Sequence, residues 1–159
     1  MSDAGKSQVS AAVRSDERLN ENILIVSSDF KRARESAEII HGLVDCKFPV
    51  EFDQRLRERN FGELELSTDS NYESVWREDH IDADNKLRAV ESPNQVMARV
   101  TDLVSEYEDK LSGETLLLVS HGDALQILQT AFLKQDASKH RMQEHLNTAE
   151  IRELVLSRE

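Results

Sequence analysis

The sequence predicts an α/β domain, and three observations predict it. Residues 22–27 and 115–120 are continuous apolar runs of strand length, the pattern of strands buried on both faces. Each is followed by a segment, 31–43 and 124–133, with apolar residues at helical spacing. Strand–helix alternation of this kind builds a parallel sheet covered by helices.

The elements follow in order. Residues 5–14 form a short helix with Val9, Ala12 and Val13 on one side. The strand NILIVS occupies 22–27, and Ser28 or Asp29 caps a helix over 31–43 whose inner positions are Ala33, Ala37, Ile40 and Leu43. Residues 49–52 make a short strand. The charged run from Gln54 to Leu66, broken by Gly62, reads as an ordered loop, 71–78 as a helical turn around Trp76, and 79–90 as mobile surface. Ser92, Pro93 and Gln95 then supply a cap, a first-turn proline and a capping-box partner. The helix they start runs to about Leu111, with Val96, Val100, Leu103, Val104, Tyr107 and Leu111 inside, and Gly113 ends it. The strand 115–120 and the helix 124–133 come next. The tail admits two readings: one helix from His140, or a strand finished by Ile151, Leu154, Val155 and Leu156.

A chain of 159 residues suits one domain, 1–159, with a real core. Hydrophobic residues make up 38% and charged residues 32%, so core material is lean. The net charge of −11 argues against general binding to nucleic acid or an anionic membrane, but leaves room for a local basic pocket. Cys46 is the only cysteine, which excludes an internal disulfide and a Cys-based zinc site. No apolar run approaches the roughly 20 residues of a membrane span. The first 15 residues carry no signal-peptide pattern, so a cytoplasmic protein is expected.

The segment TLLLVSHGDAL concentrates the chemistry. It delivers His121 to a glycine turn at the carboxyl end of a strand, where open α/β sheets bind ligands. Gly122 lets the backbone pass close to a ligand, and the helix that follows offers partial positive charge to an anion. A histidine so placed can also be a core residue satisfied by backbone. No second histidine occupies an equivalent strand end.

Taken in order, SSDFKRARESAE, LRERNFGELE, ESPNQVMARV and LLLVSHGDALQIL resemble the histidine phosphatase superfamily, its phosphoglycerate mutase-like branch. The resemblance covers roughly Gly5 to Ile151. It implies a three-layer α/β/α sandwich and phosphoryl transfer on a small phosphorylated metabolite or phosphoester, with no metal or other cofactor. His121 matches the family's second histidine, which helps hold the phosphoryl group, together with the turn at Gly122. Arg32 matches the pocket arginine in S-x-x-x-R-A, and a guanidinium fork suits phosphate. Glu58 matches the acid in L-x-E-x-x-x-G that protonates the leaving oxygen, work that needs a carboxyl whose pKa is lifted by burial or negative charge. Where many members have Glu-Gly, this chain reads Glu65-Leu66.

In that family the nucleophile is a histidine in Arg-His-Gly at the end of the first strand, and this sequence contains no such triplet. The beginning, SDAGKSQVSAAV, resembles the helix that normally follows the motif. The resemblance therefore implies a fold truncated at its first strand, and negligible turnover for lack of the nucleophile. The alternative is a non-catalytic member that binds a phosphorylated ligand or a protein. In the family the first strand lies beside the one at 115–120. The expectation is then a marginally stable chain, self-association, or re-pairing of 115–120 with the carboxyl-terminal segment. Glu91 and Ser92 read as caps, and Trp76 and Phe61 as packing residues. His41, His80, His140 and His145 lack metal-ligand spacing, although His140-Arg141 and Asn147 resemble rim positions of some members.

Overall fold

The structure, a computed structural model, describes residues 1–158, with Asp69 described by its backbone. In chain order the elements are α1 (Asp3–Ser15), β1 (Ile23–Ser27), α2 (Lys31–Val44), β2 (Glu51–Phe52), α3 (Asp69–Ile81), α4 (Pro93–Lys110), β3 (Thr115–Val119) and α5 (Gly122–Phe132). Short 3₁₀ turns fall at Gln54–Leu56, Gly62–Leu64, Leu87–Ala89 and Ala137–Met142. The residues group into two compact units. The first comprises Met1–Arg57, Leu103–His121 and Asn147–Arg152; the second comprises Glu58–Asp102, Gly122–Leu146 and the segment from Glu153.

The first unit is built on a parallel sheet of order β2-β1-β3, with Ile23 opposite Thr115 and Ser27 opposite Val119. Strand residues alternate between faces. Ile23 and Ile25, with Leu117 and Val119 packed on them, meet Val9 and Val13 of α1 and Ala37 and Ile40 of α2. On the other face Leu24, Val26, Leu116 and Leu118 pack with Leu56 and with Leu103, Val104 and Tyr107 of α4. Helices thus cover both faces of the sheet, as the α/β reading requires. Each fully buried Ile or Leu here stabilises by about 1.5–3 kcal/mol.

Several expectations need correction in this unit. The N-cap of α2 is Phe30, with no side-chain cap bond, rather than Ser28 or Asp29; Ser28 Oγ accepts the Phe30 N–H at 3.2 Å and Asp29 pairs with Arg57. Leu43 is exposed, because the apolar stripe of α2 continues from Ile40 to Val44, which packs on the core cluster, and Leu43 falls off that stripe. β3 is only partly buried, since among the described residues it pairs with β1 alone. The carboxyl-terminal segment does not re-pair with it. Residues 151–158 are neither helix nor strand; Ile151 joins the cluster around Ile23, in place of any ladder.

In the second unit α3 is a full helix rather than a turn, and 79–90 is not mobile surface. Asp79, Asn85 and Val90 are buried, and Asn85 donates Nδ2–H to Asp79 at 3.0 Å. Phe61, Leu64, Val75 and Val90 form an apolar cluster with Tyr72. The start of α4 follows the capping-box expectation: Gln95 N–H donates to Ser92 Oγ at 3.1 Å, and Ser92 N–H donates to Gln95 Oε1 at 3.0 Å.

Candidate functional site

In the first unit, β3 ends at Val119 and presents His121 beside the end of β1. The Nε2 of His121 lies 2.8 Å from the Oγ of Ser28, a fully buried residue. Ser28 is itself fixed by its N–H on the Val119 carbonyl at 2.8 Å, while its Oγ accepts the Phe30 N–H at 3.2 Å. The Phe30 ring meets the His121 ring edge-on at 5.5 Å. The imidazole is thereby held on two sides. Arg57 pairs with Asp29 through Nε at 2.7 Å and Nη2 at 2.6 Å, and these bonds hold the Asp29 carboxyl below the usual range. Arg32 stands in the first turn of α2 with its side chain exposed.

In the second unit, the Glu58 carboxyl occupies the start of α5. Oε1 accepts the N–H of Arg59 at 2.9 Å and of Ala124 at 3.1 Å, and Oε2 accepts the N–H of Asp123 at 3.3 Å. Gly122 leaves open the space beside Oε2, where a Cβ would stand at 3.8 Å. Burial, and then the Asp123 carboxylate, push the Glu58 pKa up against these three donors. A carboxyl so placed holds its proton until a better acceptor arrives, as a general acid must.

Behind Glu58 lies a cluster that sequence reading missed. Arg59, fully buried, donates to Asp79 through Nη1 at 2.5 Å and Nη2 at 2.8 Å, and through Nε to the Glu91 carbonyl at 2.7 Å. His140, also fully buried, places Nε2 2.8 Å from Asp79 Oδ2. A carboxylate only accepts, so Nε2 is the donor; Nδ1 finds no partner among the described residues. Asp79 is desolvated, but its bonds from Arg59 and His140 outweigh that and keep it below the usual carboxylate range. Arg59 is hidden in the sequence because a charged run looks the same solvated or buried. One signal was available: Asp79 follows Val75 by four residues, on the buried face of α3.

The loop after Glu58 is held by backbone conformation. Gly62 has φ +55, and a Cβ there would lie 2.4 Å from the Ala89 carbonyl group. Leu66, at the position of the expected glycine, keeps a left-handed φ of 61 with its side chain 99% exposed. Glu91 pairs with Arg99 at 2.8 Å instead of only capping α4, and the Trp76 Nε1–H donates to Asp123 Oδ2 at 2.9 Å.

Among the described residues no helix is long and apolar enough to cross a membrane, and no three His, Cys, Asp or Glu gather as a metal site. The model of the histidine phosphatase superfamily, branch 1, matches residues 1–159. "Probable phosphoglycerate mutase GpmB" of Escherichia coli O1:K1 is 36% identical over 114 residues, 69% of this chain. That match spans 52% of the mutase, so the chain covers about half the length of the curated relatives it matches. A mycobacterial glucosyl-3-phosphoglycerate phosphatase complexed with inorganic phosphate superposes with a TM-score of 0.78 at 26% identity, covering 93% of this chain and 76% of that one. Bacillus stearothermophilus YhfR superposes with a TM-score of 0.77 at 25% identity, covering 99% and 81%.

Proposed function

Because the chain belongs to the histidine phosphatase superfamily, branch 1, we propose that it is the phosphoryl-binding and proton-donating part of a phosphatase or phosphoglycerate mutase-like enzyme acting on a small phosphorylated metabolite. Residues 1–159 are read as a single domain of that family. Arg32, His121 and the turn at Gly122 bind the phosphoryl oxygens, and Glu58 is the proton donor. The observation that carries the reading is the Glu58 carboxyl, fixed by three backbone N–H groups at the start of α5 with its pKa pushed up.

Transfer of the phosphoryl group forms a bond from a nucleophile to phosphorus and breaks the bond to the ester oxygen. The leaving oxygen takes up the bonding pair and needs a proton, which Glu58 supplies. Arg32 offers two parallel N–H groups to phosphoryl oxygens, and the His121 ring, held by Ser28 and Phe30, offers a donor that need not reorient during reaction. No Arg-His-Gly occurs within the 159 residues, so the covalent step has no carrier here. The same observation supports a second reading, a non-catalytic member that binds a phosphorylated ligand or a protein.

The test is an assay of the purified 159-residue chain with p-nitrophenyl phosphate and 3-phosphoglycerate. Turnover is expected to be negligible, since loss of a covalent nucleophile costs many orders of magnitude. Turnover near one per second that His121→Ala abolishes would overturn the assignment of roles.

A further inference from the structure

We propose that Asp123 is a positioning residue for the Glu58 carboxyl, pinned by Trp76 and backed by a buried chain of charges that runs through Arg59 and Asp79 to His140. The inference rests on the reading of Glu58 as the proton donor. An aspartate in the first turn of a helix is ordinarily a solvent-facing partner of the helix dipole. Asp123 is different: it is only 5% exposed, and its Oδ2 accepts the indole N–H of Trp76, from another helix, at 2.9 Å.

Its charge is left poorly compensated. The nearest buried cation is Arg59, whose Nη1 lies 3.6 Å from Asp123 Oδ2. That guanidinium is already committed, with both Nη atoms on Asp79 and Nε on the Glu91 carbonyl. Asp79 in turn is saturated by Arg59, by His140 Nε2 and by Asn85. From the solvent side Arg141 stacks on the Trp76 ring at 3.7 Å and reaches Asp123 Oδ1 only at 3.7 Å. The remaining charges nearby are occupied with each other: Arg99 pairs with Glu91 and donates to the Glu58 carbonyl at 3.3 Å. Two buried carboxylates, Asp79 and Asp123, thus share one buried guanidinium. A third negative charge on Glu58 would add to that excess, and the same direction appears in its raised pKa.

The hydrogen bonds also say which oxygen carries the proton. Oε1 takes the two shorter N–H bonds, at 2.9 and 3.1 Å, whereas Oε2 has one at 3.3 Å. The hydroxyl oxygen of a carboxylic acid is the poorer acceptor, so the proton sits on Oε2, beside the gap at Gly122. The Asp123 carboxylate therefore favours the protonated donor, while the N–H groups of Arg59 and Ala124 on Oε1, with that of Asp123 on Oε2, set its facing.

The experiment is a pH titration of the Glu58 side-chain carboxyl by carbon-13 NMR on the 159-residue chain, assigned with Glu58→Gln. Asp123→Asn keeps an acceptor for Trp76 and removes the charge; the Glu58 midpoint should fall toward that of an ordinary glutamate. Arg141→Gln, a change at an exposed residue, removes the outer compensation of Asp123 and should raise the midpoint. A folded Asp123→Asn protein whose Glu58 midpoint is unmoved would overturn the proposal. Should that variant not fold, an unmoved midpoint in Arg141→Gln overturns it instead. No substrate enters this measurement, so its failure leaves the phosphoryl-transfer reading standing, and a failed phosphate titration leaves this inference standing.

Discussion

Glu58 and Asp123 bind each other in one sense and oppose each other in another. The backbone N–H of Asp123 donates to Glu58 Oε2 at 3.3 Å, while the carboxylate of the same residue disfavours a charge on Glu58. Burial and that carboxylate win, and the acid is held toward its protonated form.

A pH dependence of stability follows. A carboxyl whose folded pKa is raised binds its proton more tightly folded than unfolded. Its contribution is present below the unfolded value of about 4.3 and is lost as pH rises through the folded value. Glu58→Gln removes that loss. Urea denaturation from about pH 4 to about pH 7 should show the variant gaining on the parent as pH rises. A constant difference between the two would contradict the assignment.

Asp79 has the opposite sign. Its desolvation is outweighed by the bonds from Arg59 and His140, so its stabilisation is present above the unfolded pKa and lost as pH falls. Asp79→Asn removes the carboxylate that takes two hydrogen bonds from the buried Arg59 guanidinium, leaving it only Asp123 at 3.6 Å, and should cost about 3–5 kcal/mol near neutral pH. A cost below about 1 kcal/mol, the level of an exposed ion pair, would show that water reaches the pair.

Backbone strain in the loop after Glu58 gives a paired test. Leu66 holds φ 61 with an exposed side chain, so Leu66→Gly should stabilise by about 0.5–1 kcal/mol, the left-handed strain less the added chain entropy. Gly62→Ala places a Cβ 2.4 Å from the Ala89 carbonyl at φ +55 and should destabilise by about 2–4 kcal/mol. Thermal melts of both variants check the signs; a stabilised Gly62→Ala would contradict this geometry.

The half-buried β3 pairs with β1 alone among the described residues. An apolar strand with an open edge is a template for association. The chain is expected to melt low or to self-associate, as read by calorimetry and light scattering. A monomer melting cooperatively above about 65 °C, beyond the usual mesophile range, would contradict this.

Much of the fold was legible because its signals are local. The apolar runs at β1 and β3 mark buried strands, and Ser92 with Gln95 forms the capping box that starts α4. The three-layer architecture, and the roles proposed for Glu58, Arg32, His121 and Gly122, come from motif order instead. What stayed hidden depends on distant partners. Arg59 goes unmarked within the charged loop 54–66 and His140 is matched only to a rim position until Asp79 is known to lie between them, and 79–90 is read as mobile surface for the same reason. Ser28 or Asp29 reads as a cap for α2, but the Ser28 hydroxyl stands between the Phe30 N–H and His121, 93 residues further on.

The central claim, that His121 and Arg32 hold a phosphoryl group, is tested most directly by titrating the folded chain with vanadate or phosphate while following the His121 ring signals by NMR. The signals should shift at millimolar anion, and Arg32→Ala should weaken the response about tenfold, equivalent to about 1.4 kcal/mol. A His121 spectrum unchanged by millimolar anion in a folded sample would contradict the claim.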